Sequence, residues 1–399
     1  MRILSVTAQK PDSTGSGVYL TELVKGFEKL GHAQAVVAGI TKEDIVSLPE
    51  SVKFYPVYYG SCAMPFPVAG MSDEMPYEST RYSDMTEEMT LQFRTTFLER
   101  IHQVMQEFQP DIILCHHLYF LTSLIRENYP EKKVYGISHG SDLRQVKKNP
   151  WQREYIRTQI PKLDGIFALH EEQKMDICTY YECEEEFVKV IGTGYNSAIF
   201  RRMDGCEKSS DTLHLIFAGK ISEKKGVKSL LRAMAYLKEE NVVLKLAGGA
   251  GNEREYAEIM ELAKACPCEV RFLGKLTQDE LARETNQSDV FVLPSFYEGL
   301  PLVIIEAMAC GAKVVCTDLP GIQPWLNQAL PGHGVVFVKP PQMQNEDEPI
   351  AESLPAFERE LSKAILKAKG QEAVSRDALV KISWDGLCDR LIKLFKWSE

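Results

Sequence analysis

Short apolar runs that alternate with amphipathic segments constrain the fold of this chain more than any other feature. The amphipathic segments at 18–30 and 227–237 repeat their leucines at helical spacing, which places them on one helical face. Strands that alternate with helices build βαβ units, so the pattern predicts mainly parallel sheets. The apolar runs are residues 2–7, 35–38, 112–115, 134–137, 166–168, 213–218, 243–247, 270–273, 290–293 and 313–316.

The two halves of the chain open in the same way. Residues 2–7 and 213–218 are each followed by a glycine-containing loop and then by a helical segment. Polar residues cluster at 196–211, which marks a boundary between the halves. The expected fold class is therefore α/β, with two Rossmann-like doubly wound parallel-sheet domains at 1–200 and 201–383. In such sheets ligands bind beyond the carboxyl ends of the strands, so the loops there are the candidate sites.

Charge and hydropathy disfavour several classes of protein. The formal charge of -10 argues against general nucleic-acid binding, which uses a basic surface. The sequence contains no run of 18 apolar residues, and its first apolar run, which begins at Met1, is too short for a signal peptide. We therefore expect a cytoplasmic protein without a transmembrane helix and without a nucleic-acid partner.

Cysteine spacing bears on metal and redox chemistry. Of the ten cysteines, only Cys266 and Cys268 are closely spaced, and no second pair stands at the spacing of a zinc site. Reduced structural thiols are favoured over metal ligands or disulfides, given the expected compartment.

The segment 291–311 has the pattern of a strand, a loop and a helix. Pro294 ends the apolar run, Gly299 permits a tight turn, and Pro301 suits the first turn of a helix because it has no N–H to lose. The start of such a helix favours an anion such as a phosphate. The amides expected to face that anion belong to Gly299, Leu300, Leu302 and Val303.

Glu298 and Glu306 would lie on either side of this phosphate. Glu298 can accept hydrogen bonds from sugar hydroxyls and Glu306 from ribose hydroxyls. The alternative is that both are solvated acids near a helix start. Glu306 stands between Ile305 and Ala307 in an apolar segment, where a charge needs a partner, and this favours a functional role.

The pair resembles the E-x7-E motif of family 4 glycosyltransferases, which are retaining enzymes of GT-B fold. The resemblance extends to Pro294, Ser295 and Gly311, and it implies two domains that face each other across a cleft. The N-terminal domain would bind the acceptor and the C-terminal domain the donor, a nucleotide diphosphate sugar. Residues 384–399 resemble the helix that crosses back to the N-terminal domain.

The loop 219–226 carries two candidate phosphate ligands, Lys220 and Lys225. An exposed basic loop is the alternative interpretation. The loop resembles the family's G-R-L-x-x-x-K-G segment, although Lys220 replaces an arginine and therefore loses the bidentate fork. After the run 270–273, Gly274 and Leu276 match the turn whose backbone contacts the nucleobase.

Gly15 and Gly17 form a weak Gly-x-Gly signal that a plain turn explains equally well. The third glycine of a dinucleotide fingerprint is absent, which disfavours a dehydrogenase. The loop resembles the family's N-terminal glycine loop near the donor phosphate and the acceptor. The segment 192–200 resembles the family's hinge, with Asn196 in place of the usual aspartate.

His139 follows the run 134–137 and is a candidate catalytic residue together with Glu298. A histidine buried in the core is the alternative, but His139 matches the family's histidine near the donor sugar. His116 and His117 follow the run 112–115. For this pair, core packing and acceptor contact are equally supported interpretations. Asp142 and Arg144 are further candidate acceptor contacts.

Two segments relate to the acceptor or to a surface. Residues 60–92 hold prolines, methionines and tyrosines without periodicity, which favours an acceptor-side loop or lid over a passive excursion. Residues 144–162 interleave cations with aromatic side chains. A solvated helix face is favoured there, with weak peripheral membrane contact or an acceptor phosphate as alternatives.

The resemblance thus implies a retaining hexosyltransferase that needs no cofactor. No Asp-x-Asp motif occurs, so no metal is expected. The donor is a nucleotide diphosphate sugar, and the acceptor is an unidentified glycan, lipid-linked molecule or small molecule. The alternatives are a nucleotide-sugar epimerase of the same architecture and a non-catalytic protein that binds sugar nucleotides.

Overall fold

The computed structural model describes residues 1–72, 75–206, 211–250, 252–298, 300–345 and 348–396. Contacts within the chain divide it into two units. The first unit comprises Met1–Thr193 and Trp384–Glu399, and the second comprises Gly194–Ser383.

Seven parallel strands form the main sheet of the first unit. The strands of this unit are β1 (Arg2–Thr7), β2 (Ala33–Ile40), β3 (Lys53–Tyr58), β4 (Val68–Gly70), β5 (Ser79–Arg81), β6 (Ile112–His116), β7 (Lys133–Ile137), β8 (Gly165–Ala168) and β9 (Val188–Val190). The main sheet has the order β3-β2-β1-β6-β7-β8-β9, and β4 and β5 pair separately.

The second unit is built on a six-stranded sheet whose strands are also parallel. Its strands are β10 (Leu213–Ala218), β11 (Val242–Ala247), β12 (Glu269–Gly274), β13 (Val290–Leu293), β14 (Lys313–Thr317) and β15 (Val336–Val338). Their order is β12-β11-β10-β13-β14-β15. The predicted α/β class with two doubly wound parallel sheets is therefore confirmed.

Helices connect the strands in both units. They are α1 (Gly15–Lys29), α2 (Glu87–Glu107), α3 (Phe120–Asn128), α4 (Ser141–Lys148), α5 (Arg153–Gln159), α6 (Glu171–Tyr181), α7 (Val227–Ala233), α8 (Glu253–Lys264), α9 (Gln278–Asn286), α10 (Leu302–Ala309), α11 (Ile322–Ala329), α12 (Leu354–Lys369), α13 (Arg376–Val380) and α14 (Trp384–Lys396). Short 3₁₀ turns occur at Tyr82–Asp84, Ile160–Lys162, Glu185–Phe187, Met234–Tyr236 and Ala351–Ser353.

The strand order reverses at one point in each sheet. In the first sheet β1 lies between β2 and β6, and in the second β10 lies between β11 and β13. Successive crossovers leave in opposite directions at these points, so the loops beyond the carboxyl ends separate and leave room for a ligand. The loops in question follow β1, β6, β10 and β13.

Helix α14 completes the first unit by packing on α1. Gly26 lies against Cys388, whose thiol contacts the carbonyl oxygen of Leu23 at 3.6 Å. The rings of Phe27 and Phe395 lie 6.2 Å apart. A side chain larger than hydrogen at position 26 would push these helices apart.

The segment 60–92 contains more regular secondary structure than the sequence predicted. Its described residues form β4, β5, a 3₁₀ turn and the start of α2. Its methionine and aromatic side chains enter the core of the first unit from short strands and turns, which is why they show no periodicity. The buried members include Met64, Phe66, Met71, Tyr82 and Met85. Asp73 and Glu74 lie outside the described residues, and a role as an acceptor lid stays a prediction.

Gly226 offers a test of the packing that brings two loops of the second unit together. Its φ is +70°, and a Cβ there would overlap the carbonyl oxygen of Pro294. Gly226→Ala should combine a conformational cost of about 1 kcal/mol with about 1–3 kcal/mol of overpacking. Urea denaturation measures the loss.

Gly332→Ala is the matched control, because Gly332 has a φ of +76° and open space at the Cβ position. It should show the conformational cost alone. Equal losses in the two variants would mean that the contact between Gly226 and Pro294 carries no free energy.

Candidate active site

The loops that follow β10 and β13 are in contact at the carboxyl edge of the second sheet. Gly226 lies against the carbonyl group of Pro294. The N–H of Phe296 donates a hydrogen bond to the carbonyl oxygen of Lys224 at 3.0 Å. These backbone contacts set the register in which side chains of the two loops meet.

Lys225 and Glu298 form an ion pair across that contact. The Nζ atom of Lys225 lies 2.6 Å from Oε1 of Glu298, and the two side chains are 28% and 14% exposed. The same oxygen accepts a hydrogen bond from the hydroxyl of Ser295 at 2.7 Å, and Nζ lies 3.5 Å from the carbonyl oxygen of Tyr297. An ammonium group carries three protons, and the contacts with described residues use two of them, which leaves one for a ligand.

Helix α10 begins directly after this loop and carries Glu306 in its second turn. Pro301 caps the helix in an extended conformation, one residue before the first turn where the sequence placed it. Glu306 is half-buried between the buried side chains of Ile305 and Ala307. Gly299 lies outside the described residues. The other predicted donor contacts, Leu300, Leu302, Val303 and, after β12, Leu276, are all half-buried.

The ends of β10, β11 and β12 approach one another through glycines. The N–H of Gly219 donates to the carbonyl oxygen of Ala247 at 2.9 Å, and that of Gly248 donates to Gly274 at 2.8 Å. Gly248 has no room for a side chain, because the oxygen of Gly219 occupies the Cβ position. Lys220 follows this contact and is exposed, without a hydrogen bond or ion pair to other described residues.

Three histidines meet at the carboxyl edge of the first sheet. His116 ends β6, and its Nδ1 lies 3.1 Å from Nε2 of His139, with the two rings stacked 5.3 Å apart. The ring of His117 meets that of His139 edge-on at 4.9 Å. Nε2 of His117 lies 3.1 Å from the hydroxyl oxygen of Ser16 in the first turn of α1. The structure therefore brings all three predicted histidines together.

Gly15 and Gly17, which the sequence placed in a loop, lie in the first turn of α1 and have different roles. Thr14 caps the helix by accepting a hydrogen bond from the N–H of Gly17 at 3.2 Å. A Cβ on Gly17 would collide with the backbone of Lys10 and Asp12. Gly15 is exposed, and the space where its Cβ would lie is open. Gly17 thus permits the first turn of α1 to pack closely on the preceding loop, while Gly15 leaves the start of the helix accessible.

Burial keeps the histidines neutral. It lowers the pKa of His116 to about 3, with a further contribution from His117. It also lowers the pKa of His139 well below its usual value, with His117 and His116 adding to the effect. The pKa of His117 is lowered by burial as well, although Asp142 opposes the shift. Neutral imidazoles can donate through one nitrogen and accept through the other, which the contact between His116 and His139 requires.

Asp142 supports this cluster from within the fold. Its carboxylate is fully buried and accepts hydrogen bonds from the N–H of Leu118 at 2.7 Å and of His139 at 3.1 Å. The hydroxyl of Ser138 donates to it at 3.1 Å. These bonds tie the loop after β6 to the loop after β7. An acceptor contact at Asp142 stays a prediction, and the enclosure of its side chain disfavours it.

The basic stretch at 144–162 is largely a paired helix surface. Lys147 pairs with Asp176 at 3.0 Å, and Arg157 pairs with Glu182 at 2.8 Å. Arg144, a predicted acceptor contact, is exposed on α4. Membrane contact through this stretch stays a prediction. Among the described residues, no helix combines the length and the apolar composition that a bilayer span requires.

Two contacts of the site were not foreseen from the sequence. Ser295 bonds to Glu298 across three residues, and only its place in the turn could have indicated this. Tyr19 lies on the buried face of α1, and its ring meets His139 edge-on at 5.2 Å. Its hydroxyl donates to the carbonyl oxygen of Gly192 at 2.9 Å. Nothing in the sequence distinguishes Tyr19 from an ordinary core residue.

The described residues offer no group of three or more His, Cys, Asp or Glu side chains arranged to hold a metal ion. Positive charge beside Glu298 comes from Lys225 of the loop after β10 and from the start of α10. Together they can compensate a diphosphate, while carboxylates accept hydrogen bonds from hydroxyl groups.

Two protein-family profiles match the chain. The profile described as "Glycosyl transferases group 1" matches residues 204–355, and "Glycosyltransferase Family 4" matches residues 13–198. Between them they span most of both units.

Individual proteins resemble the chain at about one quarter sequence identity. The chain is 26% identical over 342 residues to a D-inositol 3-phosphate glycosyltransferase of Streptomyces bingchenggensis, covering 78% of this chain and 71% of the relative. It is 25% identical over 291 residues to a glycosyltransferase of Methanocaldococcus jannaschii, covering 64% and 72%.

Solved structures share the fold. Sucrose-phosphate synthase from Thermosynechococcus elongatus has a TM-score of 0.68 at 17% identity, covering 100% of this chain and 98% of the other. Anabaena HepE in complex with UDP and glucose has a TM-score of 0.61 at 13% identity, covering 99% of each chain.

The neutral histidines make stability depend on pH. The pKa of His116 is about 3 in the folded chain and about 6.5 when unfolded, so the unfolded chain binds more protons below pH 6.5. The free energy of unfolding should therefore fall as the pH drops from about 6.5 towards 3. His116→Gln should flatten this slope by up to about 1.4 kcal/mol per pH unit.

Urea denaturation at several pH values between about 7 and 5 measures these slopes. His102→Gln, at an exposed histidine on α2, is the control and should leave the slope near that of the original chain. An unchanged slope in His116→Gln would contradict the assignment of a neutral buried imidazole.

Proposed function

We propose a reaction for this chain on the premise that it belongs to the family 4, or group 1, glycosyltransferases and has their GT-B fold. It transfers a hexosyl group from a nucleotide diphosphate sugar to an acceptor, with retention of anomeric configuration. The observation that carries this proposal is the pairing of Lys225 with Glu298 in the loop before α10, the helix that carries Glu306.

Donor binding exchanges the partners of this ion pair. Lys225 turns from Glu298 to the diphosphate, and Glu298 then accepts hydrogen bonds from hydroxyls of the sugar. Ser295 keeps the carboxylate oriented throughout, since it bonds to the same oxygen. The exchange keeps both charges compensated, which matters because an unpaired, largely buried charge is costly.

The leaving diphosphate gains negative charge in the transition state. Lys225, the exposed Lys220 and the first amides of α10 supply positive charge at that point, so their contribution grows as the bond breaks. Glu306 accepts hydrogen bonds from the ribose. Because these groups supply the charge, we propose that the reaction needs no metal ion or cofactor. The activity measured with excess chelator should therefore equal the activity of the untreated enzyme.

His139 acts on the transferred sugar as a neutral hydrogen-bonding group. His116 holds its ring from one side, and Asp142 holds its backbone N–H. A neutral imidazole stabilises a polar transition state by hydrogen bonding and does not repel the positive character that develops at the sugar. Gly15, Gly17, His117 and Arg144 are the remaining residues proposed to approach donor or acceptor.

The names of similar proteins suggest where a search for substrates should start. One relative is named for D-inositol 3-phosphate, and Anabaena HepE was solved with UDP and glucose. A screen should therefore begin with UDP-sugars and phosphorylated polyols, followed by GDP- and ADP-sugars and by glycan and lipid-linked acceptors.

Donor binding is tested by thermal shift with UDP-, GDP- and ADP-sugars. One nucleotide series should raise the apparent stability by about 2.7 kcal/mol when its concentration is a hundred times the Kd. Lys225→Met should reduce that shift, because it removes a phosphate ligand. Lys228→Met is the control, since Lys228 pairs with Glu223 and Glu258 instead. If donor addition raised the stability of both variants equally, the proposed role of Lys225 in donor binding would be wrong.

Transfer is tested with the donor so identified. Glu298→Gln should lower kcat/KM by about 10- to 100-fold, the value of a charged hydrogen bond. His139→Ala should lower it by about 100-fold. Glu258→Gln removes a carboxylate that bonds to a lysine at 3.0 Å outside the proposed site, and it should retain full activity.

Product analysis separates this function from its rivals. A conjugated product with the donor's anomeric configuration supports retaining transfer. An isomerised nucleotide sugar would indicate an epimerase, and binding without turnover across the acceptor panel would indicate a non-catalytic protein.

A further inference from the structure

Cys266 and Cys268 stand together in the turn between α8 and β12. Their Sγ atoms are 3.5 Å apart, and both side chains are half-buried. The sulfur of Cys266 also lies 3.7 Å from the carbonyl oxygen of Leu231 on α7. A disulfide bond is about 2 Å long, so a shift of about 1.5 Å, well within side-chain rotation, would join the two sulfurs.

We infer that Cys266 and Cys268 form a reversible thiol–disulfide site that reacts with small disulfides such as oxidised glutathione. The site is independent of glycosyl transfer. It lies before the amino end of β12, whereas Gly274 and Leu276 stand at and beyond the carboxyl end of that strand.

The contact between the sulfurs divides their roles. Either sulfur can donate the hydrogen bond between them, and when Cys268 donates it stabilises the Cys266 thiolate and lowers the pKa of Cys266 to about 7. The same bond raises the pKa of Cys268. The charged residues beside the turn are engaged elsewhere, Lys264 with Glu261 at 2.6 Å and Glu269 with Arg271 at 2.7 Å. We assign the attack to Cys266, whose pKa is the lower of the two, and the resolving step to Cys268, an order that the variants below test.

The reaction proceeds in two exchanges. The Cys266 thiolate attacks one sulfur of oxidised glutathione, which forms a mixed disulfide and releases one glutathione thiolate. Cys268 then loses its proton to solvent and attacks the Cys266 sulfur, which forms the internal disulfide and releases the second glutathione thiolate. Two electrons pass from the protein to glutathione, and no other oxidant is needed.

The internal disulfide closes a small ring over Pro267. Short rings of this kind hold the disulfide away from its preferred geometry, and strained disulfides are more easily reduced. The bond should therefore open again when reduced glutathione is in excess, as a reversible modification does.

A second pair of cysteines provides an internal comparison. Cys178 and Cys183 also lie near each other, but burial raises the pKa of Cys178 and raises that of Cys183 to about 11. Both remain protonated near neutral pH, so this pair should react slowly. Cys62 is exposed and reports ordinary solvent access.

The experiment treats the full reduced chain with oxidised glutathione, alkylates the remaining thiols and maps peptides by mass spectrometry. The peptide with Cys266 and Cys268 should become about 2 Da lighter and escape alkylation. This should occur about tenfold or more faster than any modification of Cys178 or Cys183. Excess reduced glutathione should reverse it.

Two variants resolve the order of the steps. Cys268→Ser should stop at the glutathione adduct on Cys266, and Cys266→Ser should abolish the fast reaction. Circular dichroism shows whether each variant folds, and the result on the unmodified chain needs neither variant. The proposal is overturned if Cys62 reacts while the Cys266–Cys268 peptide remains doubly alkylated, or if that peptide carries only glutathione adducts.

Discussion

The backbone contact of Gly226 with Pro294 governs the geometry of the second unit's site. It is available only to glycine, because φ is positive and the carbonyl oxygen fills the Cβ position. From this contact follow the register of the loops after β10 and β13 and the ion pair of Lys225 with Glu298. Helix α10 then starts at a fixed distance from that pair. The positions of Lys225 and Glu298 therefore depend on the absence of a side chain at position 226.

The main constraint in the first unit is the burial of three neighbouring histidines, His116, His117 and His139. Burial costs little for a neutral imidazole that is hydrogen-bonded, and much for a protonated one. The contacts of His116 with His139 and of His117 with Ser16 hold the rings in place, and the buried Asp142 fixes the surrounding backbone. The carboxylate thus stabilises the arrangement through the backbone N–H groups of Leu118 and His139.

Much of this arrangement could be predicted from local sequence, and the rest depends on tertiary contacts. Alternating apolar runs indicated the parallel sheets, and strand ends indicated the loops that carry Glu298 and His139. The ion pair of Lys225 with Glu298 joins residues 73 positions apart and follows from a backbone approach that sequence does not reveal. The segment 60–92 was predicted to be irregular because its core side chains project from short strands and turns. These elements are too short to show a hydrophobic period.

Helix α14 gives the chain a discontinuous first unit, since Trp384–Lys396 pack on a helix near the other end of the sequence. During synthesis the whole of the second unit leaves the ribosome before α14 does. The second sheet can therefore assemble while the apolar face of α1 still lacks its partner. If folding proceeds as the chain emerges, the first unit would therefore be the last to complete its fold, although its synthesis begins first. A nascent chain that pauses before residue 384 would expose the apolar face of α1, to which chaperones could bind.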